Sequence, residues 1–197
     1  MESRISFIRS QLLEGSRLKQ ELAEKQAESI KKAADIIIHA LRSGAKILLC
    51  GNGGSAADSQ HIAAELVGRF QMDRKALSAI ALTTDTSILT AVANDFGYEN
   101  VFRRQVEAIG KKGDVLIGIS TSGGSRNVIL AMKSARELYM ATIALTGSSE
   151  GSMQGIADVI VRIPSKNAAR IQEGHIAVGH IFCDLAERYL FETGISK

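Results

Sequence analysis

The chain has 197 residues, a formal net charge of +3 from 24 lysines and arginines against 21 aspartates and glutamates, and 45% hydrophobic residues. That length suits one domain burying about 70% of its unfolded surface without staples. The mild, scattered positive charge lacks aromatic interleaving, which disfavours a nucleic-acid partner and fits a phosphorylated small molecule better.

No apolar run approaches membrane-spanning length, so no membrane association is expected. Cys50 and Cys183 lie far apart in apolar stretches without CxxC spacing and read as reduced core residues, which favours a cytoplasmic compartment. The opening residues are charged and helix-patterned rather than a basic segment followed by an apolar signal core, so export is not expected. Ile5, Ile8 and Leu12, then Leu18 and Leu22, and later Ile30, Ala34, Ile37 and Leu41 recur at helical spacing. With an interruption near Gly15-Ser16, this predicts two helices between Arg4 and Arg42. His39 on the second should face solvent.

Strand-like runs then alternate with helical ones: Lys46–Cys50, Ser78–Leu82, Val115–Ser120, Ala141–Thr146 and Val159–Ile163. The alternation predicts an α/β fold with a parallel five-stranded sheet and helices on both faces. A long helix over Asn167–Glu192 closes the chain and carries His175 and His180. There is no linker or low-complexity tract. The reading is therefore a single domain over 1–197, with an N-terminal helical segment at about 1–43 and an αβ core at about 44–197.

The first strand runs into Gly51-Asn52-Gly53-Gly54-Ser55 and then an alanine-rich helix. A glycine loop at a helix N-terminus offers unpaired N–H groups and the positive end of the helix dipole to an anion or polyhydroxyl ligand, or serves turn geometry alone. Along that helix His61 and Glu65 lie four residues apart, one above the other. They are either a surface ion pair or half of a tetrahedral zinc site. The third strand opens into Ser120-Thr121-Ser122-Gly123-Gly124-Ser125, where four hydroxyls and two glycines precede another helix. One hydroxyl would have sufficed as a cap, so the loop reads as a phosphate cradle.

GNGGSAADSQHIAAELVGRF, ALTTDTSILTAVANDFGYENVF, ISTSGGSRN and RIQEGHIAVGHIFCDLAE, in this order and spacing over nearly the whole chain, resemble the sugar-isomerase (SIS) domain family, and within it the phosphoheptose isomerases. The resemblance implies a three-layer SIS fold and conversion of sedoheptulose 7-phosphate to D-glycero-D-manno-heptose 7-phosphate, the entry to heptose units of bacterial surface polysaccharides. It also implies a cytoplasmic, zinc-containing homotetramer. Carried over residue by residue, it assigns Zn2+ ligation to His61, Glu65, Gln172 and His180, and acid/base roles to Glu65 and His180. Substrate contact is assigned to Asn52, Gly53, Gly54, Ser55, Glu65, Asn94, Asp95, Ser120, Thr121, Ser122, Ser125 and Gln172.

Two positions depart from the family pattern: Gly124 replaces an asparagine, and Ala169 stands where some relatives carry aspartate. The rival readings are a non-catalytic SIS protein that binds a protein partner, as the DnaA-binding initiation factors do, and an isomerase of another phosphosugar. Glu65 carries two assigned roles in tension, because a carboxylate bound to zinc is a poor base while bound. Helix geometry adds a further expectation: on one continuous helix, Gln172 and His180 are separated by ~12 Å and roughly 80°. The zinc site is therefore expected to be completed across a subunit interface, with the apolar N-terminal stripe as an oligomer contact.

Overall fold

A computed structural model of the chain describes residues 3–149 and 151–192. Its elements in order are α1 (Arg4–Arg42), β1 (Ile47–Gly51), α2 (Gly54–Val67), β2 (Ala79–Ala81), α3 (Thr86–Phe96), a 3-10 turn (Tyr98–Asn100), α4 (Val101–Ile109), β3 (Val115–Ser120), α5 (Arg126–Glu137), β4 (Ala141–Thr146), β5 (Val159–Arg162) and α6 (Ala168–Phe191). The five strands form one parallel sheet in the order β2-β1-β3-β4-β5.

Every residue of β1 and β3 is buried, as expected for central parallel strands covered on both faces. The period of two divides their side chains between layers. Ile47, Leu49, Val115, Ile117 and Ile119 face α1, α2 and α6, while Leu48, Cys50 and Leu116 face α4 and α5. Both cysteines are free and buried, and burial pushes each thiol up to about 12.

One expectation fails at the start. The opening segment is a single helix of 39 residues, unbroken at Gly15. Glycine in a helix interior costs about 1 kcal/mol relative to alanine, and here tertiary packing explains its presence. A Cβ on Gly15 would stand 3.0 Å from Glu173 Oε2 and 3.1 Å from Arg170 Nη1. Arg170 pairs with Glu173 and donates to the Gln11 carbonyl at 2.9 Å, so Gly15 is where α6 docks a polar pair against α1.

The strand order matters for function. β1 lies between β2 and β3, and the chain leaves β1 through α2 on one face but leaves β3 through α5 on the other. The two loops diverge over paired strand ends, where Gly51 sits opposite Ile119. Such a switch point forms a crevice at the carboxyl edge of a parallel sheet.

Candidate active site

Both glycine-rich loops lie at this crevice. The helices behind them begin differently from most others in the fold. Side chains cap α1, α3 and α6, through Ser3, Asp85 and Asn167. No side chain caps α2, whose N-cap is Gly53 at φ +56°, or α5, whose N-cap is Ser125. The Ser125 hydroxyl is engaged elsewhere, 2.8 Å from Ser120 Oγ. Ser120 Oγ also lies 3.4 Å from Ser122 Oγ, which accepts the Gly124 N–H at 3.2 Å. The hydroxyls thus gather with one another; of the first-turn N–H groups of α5, that of Val128 donates to Asn127 Oδ1 at 3.0 Å, and those of Arg126 and Asn127 have no partner among the described residues, the arrangement an anion uses.

A surface cavity of about 320 Å³ adjoins this loop, bordered by Thr121, Ser122, Ser149, Lys166 and the start of α6. Lys166 was not singled out by sequence reasoning, since an isolated surface lysine carries no pattern. A Cβ on Gly124 would meet Ser122 Oγ only at 3.6 Å, so the departure at Gly124 answers no local crowding. Ala169 lies exposed in the first turn of α6.

The two loops are tied together by amides. Asn52 Nδ2 donates to Asn127 Oδ1 at 2.9 Å, and Asn127 Nδ2 donates back to Asn52 Oδ1 at 2.8 Å. Tyr98 Oη donates to the same Asn52 oxygen at 3.0 Å. Neither Asn127 nor Tyr98 was anticipated. The only sequence signal was an asparagine just inside a helix already opened by serines. Asn94 and Asp95, assigned to substrate contact, sit exposed near the end of α3 and bond each other at 2.8 Å.

The second half of the site runs along the seam between α2 and α6. α6 is unbroken from Ala168 to Phe191, so Gln172 and His180 sit at different points along it. The Gln172 amide lies over Gly54, where a Cβ would be 2.3 Å from Gln172 Nε2. A side chain at that position would push the Gln172 amide off the start of α2. Farther along, His180 Nε2 lies 2.9 Å from His61 Nε2, and His61 Nε2 lies 3.5 Å from Glu65 Oε1. His61, Glu65 and His180 therefore gather within one chain. Among the described residues Gln172 makes no hydrogen bond to any of the three.

Among the described residues no three His, Cys, Asp or Glu side chains converge closely enough to hold a metal ion as they stand. The two measured edges nevertheless bracket the ~3.3 Å between neighbouring ligand atoms that bonds of 2.0–2.1 Å impose on a tetrahedral zinc site. Two imidazoles and a carboxylate are also the right donor set.

Phe70 stacks on His180 with ring centroids 5.4 Å apart and planes 29° apart. His175 is fully buried beside Thr146, and among the described residues neither ring nitrogen has a hydrogen-bond partner. Burial pulls its pKa down to about 4, with the Thr146 backbone opposing, so it is a neutral core histidine. His39 is exposed.

A family model described as "SIS domain" matches residues 13–147. The chain is 57% identical to the phosphoheptose isomerase of Roseiflexus sp. over 89% of both chains. It belongs to the SIS domain family, among the phosphoheptose isomerases. The solved phosphoheptose isomerase of Neisseria gonorrhoeae superimposes with a TM-score of 0.89 at 46% identity, covering 94% of this chain and 99% of that one. The Francisella tularensis phosphoheptose isomerase gives 0.91 at 38% identity, covering 95% and 100%. The five-stranded parallel sheet and its helical layers are thus the SIS fold of that group.

Proposed function

We propose that this chain is an aldose-ketose isomerase that interconverts sedoheptulose 7-phosphate and D-glycero-D-manno-heptose 7-phosphate, supplying heptose for bacterial surface polysaccharides. Its relatives at 38–57% identity bear the name phosphoheptose isomerase. The observation that carries the reading is the continuity of the site. Hydroxyls and uncapped helix N-termini suited to a phosphate lie at the sheet edge where α2 begins, and along α2 both Glu65 and His180 approach His61 Nε2. A partner-binding protein would have no need of that chemistry.

In this reading Ser120, Thr121, Ser122 and Ser125, with neighbouring N–H groups, hold the phosphate. Asn52, Gly53, Gly54, Ser55 and Gln172, together with Asn94 and Asp95, meet the sugar. Binding the remote phosphate positions the reacting carbons. Isomerisation moves a proton between adjacent carbons through an enediol or enediolate, and Glu65 and His180 take and return protons at carbon and oxygen. His61, Glu65 and His180, with Gln172 as the fourth candidate, would hold zinc, which when bound supplies Lewis acidity to the sugar oxygens.

The protein is further proposed to be a cytoplasmic homotetramer with active sites at subunit interfaces. Supporting this, Ile5, Ile8, Leu12 and Leu13 of α1 are 57–71% exposed, and α3 buries none of its residues. Val67 and Ile181, flanking the histidine cluster, are also exposed. Among the described residues no helix is long and apolar enough to cross a membrane.

The test is to incubate purified protein with sedoheptulose 7-phosphate, and separately with pentulose and hexulose phosphates, following aldose formation by NMR. The heptulose phosphate should be converted in strong preference. Turnover confined to a shorter sugar would replace the substrate assignment, and no turnover of any would overturn the enzymatic reading.

A further inference from the structure

Glu187 occupies the α6 face that carries His180, seven residues further along, where two helical turns bring side chains back into line. Its side chain is 1% exposed and saturated with donors. Oε1 accepts the Phe70 N–H at 2.8 Å and Arg74 Nε at 2.9 Å, and Oε2 accepts the N–H groups of Gln71 and Met72, each at 2.9 Å.

Arg74 is equally buried, and its other nitrogens donate to the carbonyls of Glu65 at 2.9 Å, Leu66 at 2.8 Å, Gly68 at 3.3 Å and Lys75 at 3.0 Å. The last carbonyls of a helix have no intrahelical partner. Arg74 supplies one for α2 at the turn that carries Glu65.

An ion pair this deeply buried is weak evidence for stability, because apolar residues of similar volume often do as well. Its particular effect here is positional. The segment after α2 folds around the pair, and Phe70, the first residue whose N–H the Glu187 carboxylate accepts, is the one whose ring stacks on His180.

We propose that Glu187 and Arg74 are positioning residues for the isomerase site: they fix the 70–74 segment so that Phe70 holds the His180 imidazole in its working orientation, and they steady the backbone of Glu65. This rests on the reading of His180 as a proton-transfer residue.

The experiment compares Phe70→Leu, Phe70→Tyr and Glu187→Gln with wild type, using steady-state kinetics on sedoheptulose 7-phosphate and NMR of labelled histidine. Phe70→Leu leaves the buried pair intact and keeps the variant foldable. It should keep its thermal midpoint and KM but lose about tenfold or more in kcat. Phe70→Tyr should restore kcat. The ring-current shift on the His180 ring protons should vanish in Phe70→Leu and diminish in Glu187→Gln.

Wild-type kcat in Phe70→Leu, or an unchanged His180 spectrum in a folded Glu187→Gln variant, would overturn the proposal. A parallel His180→Gln variant separates the two levels of inference. If that variant is inactive while Phe70→Leu is normal, the positioning role alone is wrong; if it remains active, the proton-transfer reading falls and the proposal falls with it.

Discussion

Two carboxylates on the same α2–α6 seam live under opposite conditions. Glu187 is sealed from solvent and filled by three backbone N–H groups and a guanidinium. Glu65 is a quarter exposed, at the edge of an open histidine cluster, with His61 Nε2 at 3.5 Å from its Oε1. A carboxylate whose acceptor sites are all occupied holds structure in place, and one left with free capacity is available to a proton or a cation. The difference comes from the segment after α2, which covers the Glu187 carboxylate but touches Glu65 only at its backbone carbonyl.

The comparison breaks most sharply on substitution. Glu65→Gln and His180→Gln should each lower turnover by at least 10²–10⁴-fold while leaving urea unfolding close to wild type. Glu187→Ala strands the Arg74 charge and should cost about 3–5 kcal/mol in the same unfolding experiment. If Glu65→Gln unfolded the protein and Glu187→Ala did not, the two roles would be reversed.

Acid sharpens the contrast through the buried groups. Burial by itself pushes Glu187 up, but the N–H groups of Gln71, Phe70 and Met72 and the charge of Arg74 outweigh it and hold the carboxyl below its ordinary 4.5. Its contribution is therefore complete above that value and lost as pH falls through the lower folded pKa. His175, pulled down to about 4 from 6.5 by burial, acts in an earlier window. The unfolded chain takes up its proton first, so stability should fall by up to about 3 kcal/mol between pH 6.5 and 4. His175→Leu should flatten that window in a pH series of urea midpoints and leave the decline below 4.5.

Smaller effects belong to the crevice. Ser120→Ala with Ser122→Ala should weaken phosphosugar binding by about 2 kcal/mol or more, roughly thirtyfold, without changing metal content. Unchanged affinity by calorimetry would move the phosphate to the Gly51–Ser55 turn. Gly124→Asn should alter stability by less than about 0.5 kcal/mol, because the backbone there has room for a side chain.

The sheet was legible because each strand is an apolar run bounded by turn residues; β3 and β4 match their expected limits, and β2 is shorter, holding three residues at the sheet edge. Gly15 misled because local propensity marks it as a break, whereas its reason lies more than 150 residues away on α6. The loops and the His61–Glu65 pair were visible because each is contiguous or one helical turn apart. Asn127, Phe70 and the Glu187–Arg74 pair were not, since their meaning depends on contacts between separate segments that periodicity does not encode. His180 had a histidine's chemistry in sequence, but its approach to His61 within one chain emerged only when α2 and α6 were seen side by side.

The most direct test of the central claim, that the open seam carries the isomerisation, follows sedoheptulose 7-phosphate by NMR in deuterated water with wild-type protein, Glu65→Gln and His180→Gln. Proton transfer through exchangeable side chains predicts that wild type forms the aldose phosphate with deuterium at the carbon next to the new carbonyl, and that both variants form almost none. Deuterated aldose appearing at wild-type rate in both variants would contradict the account.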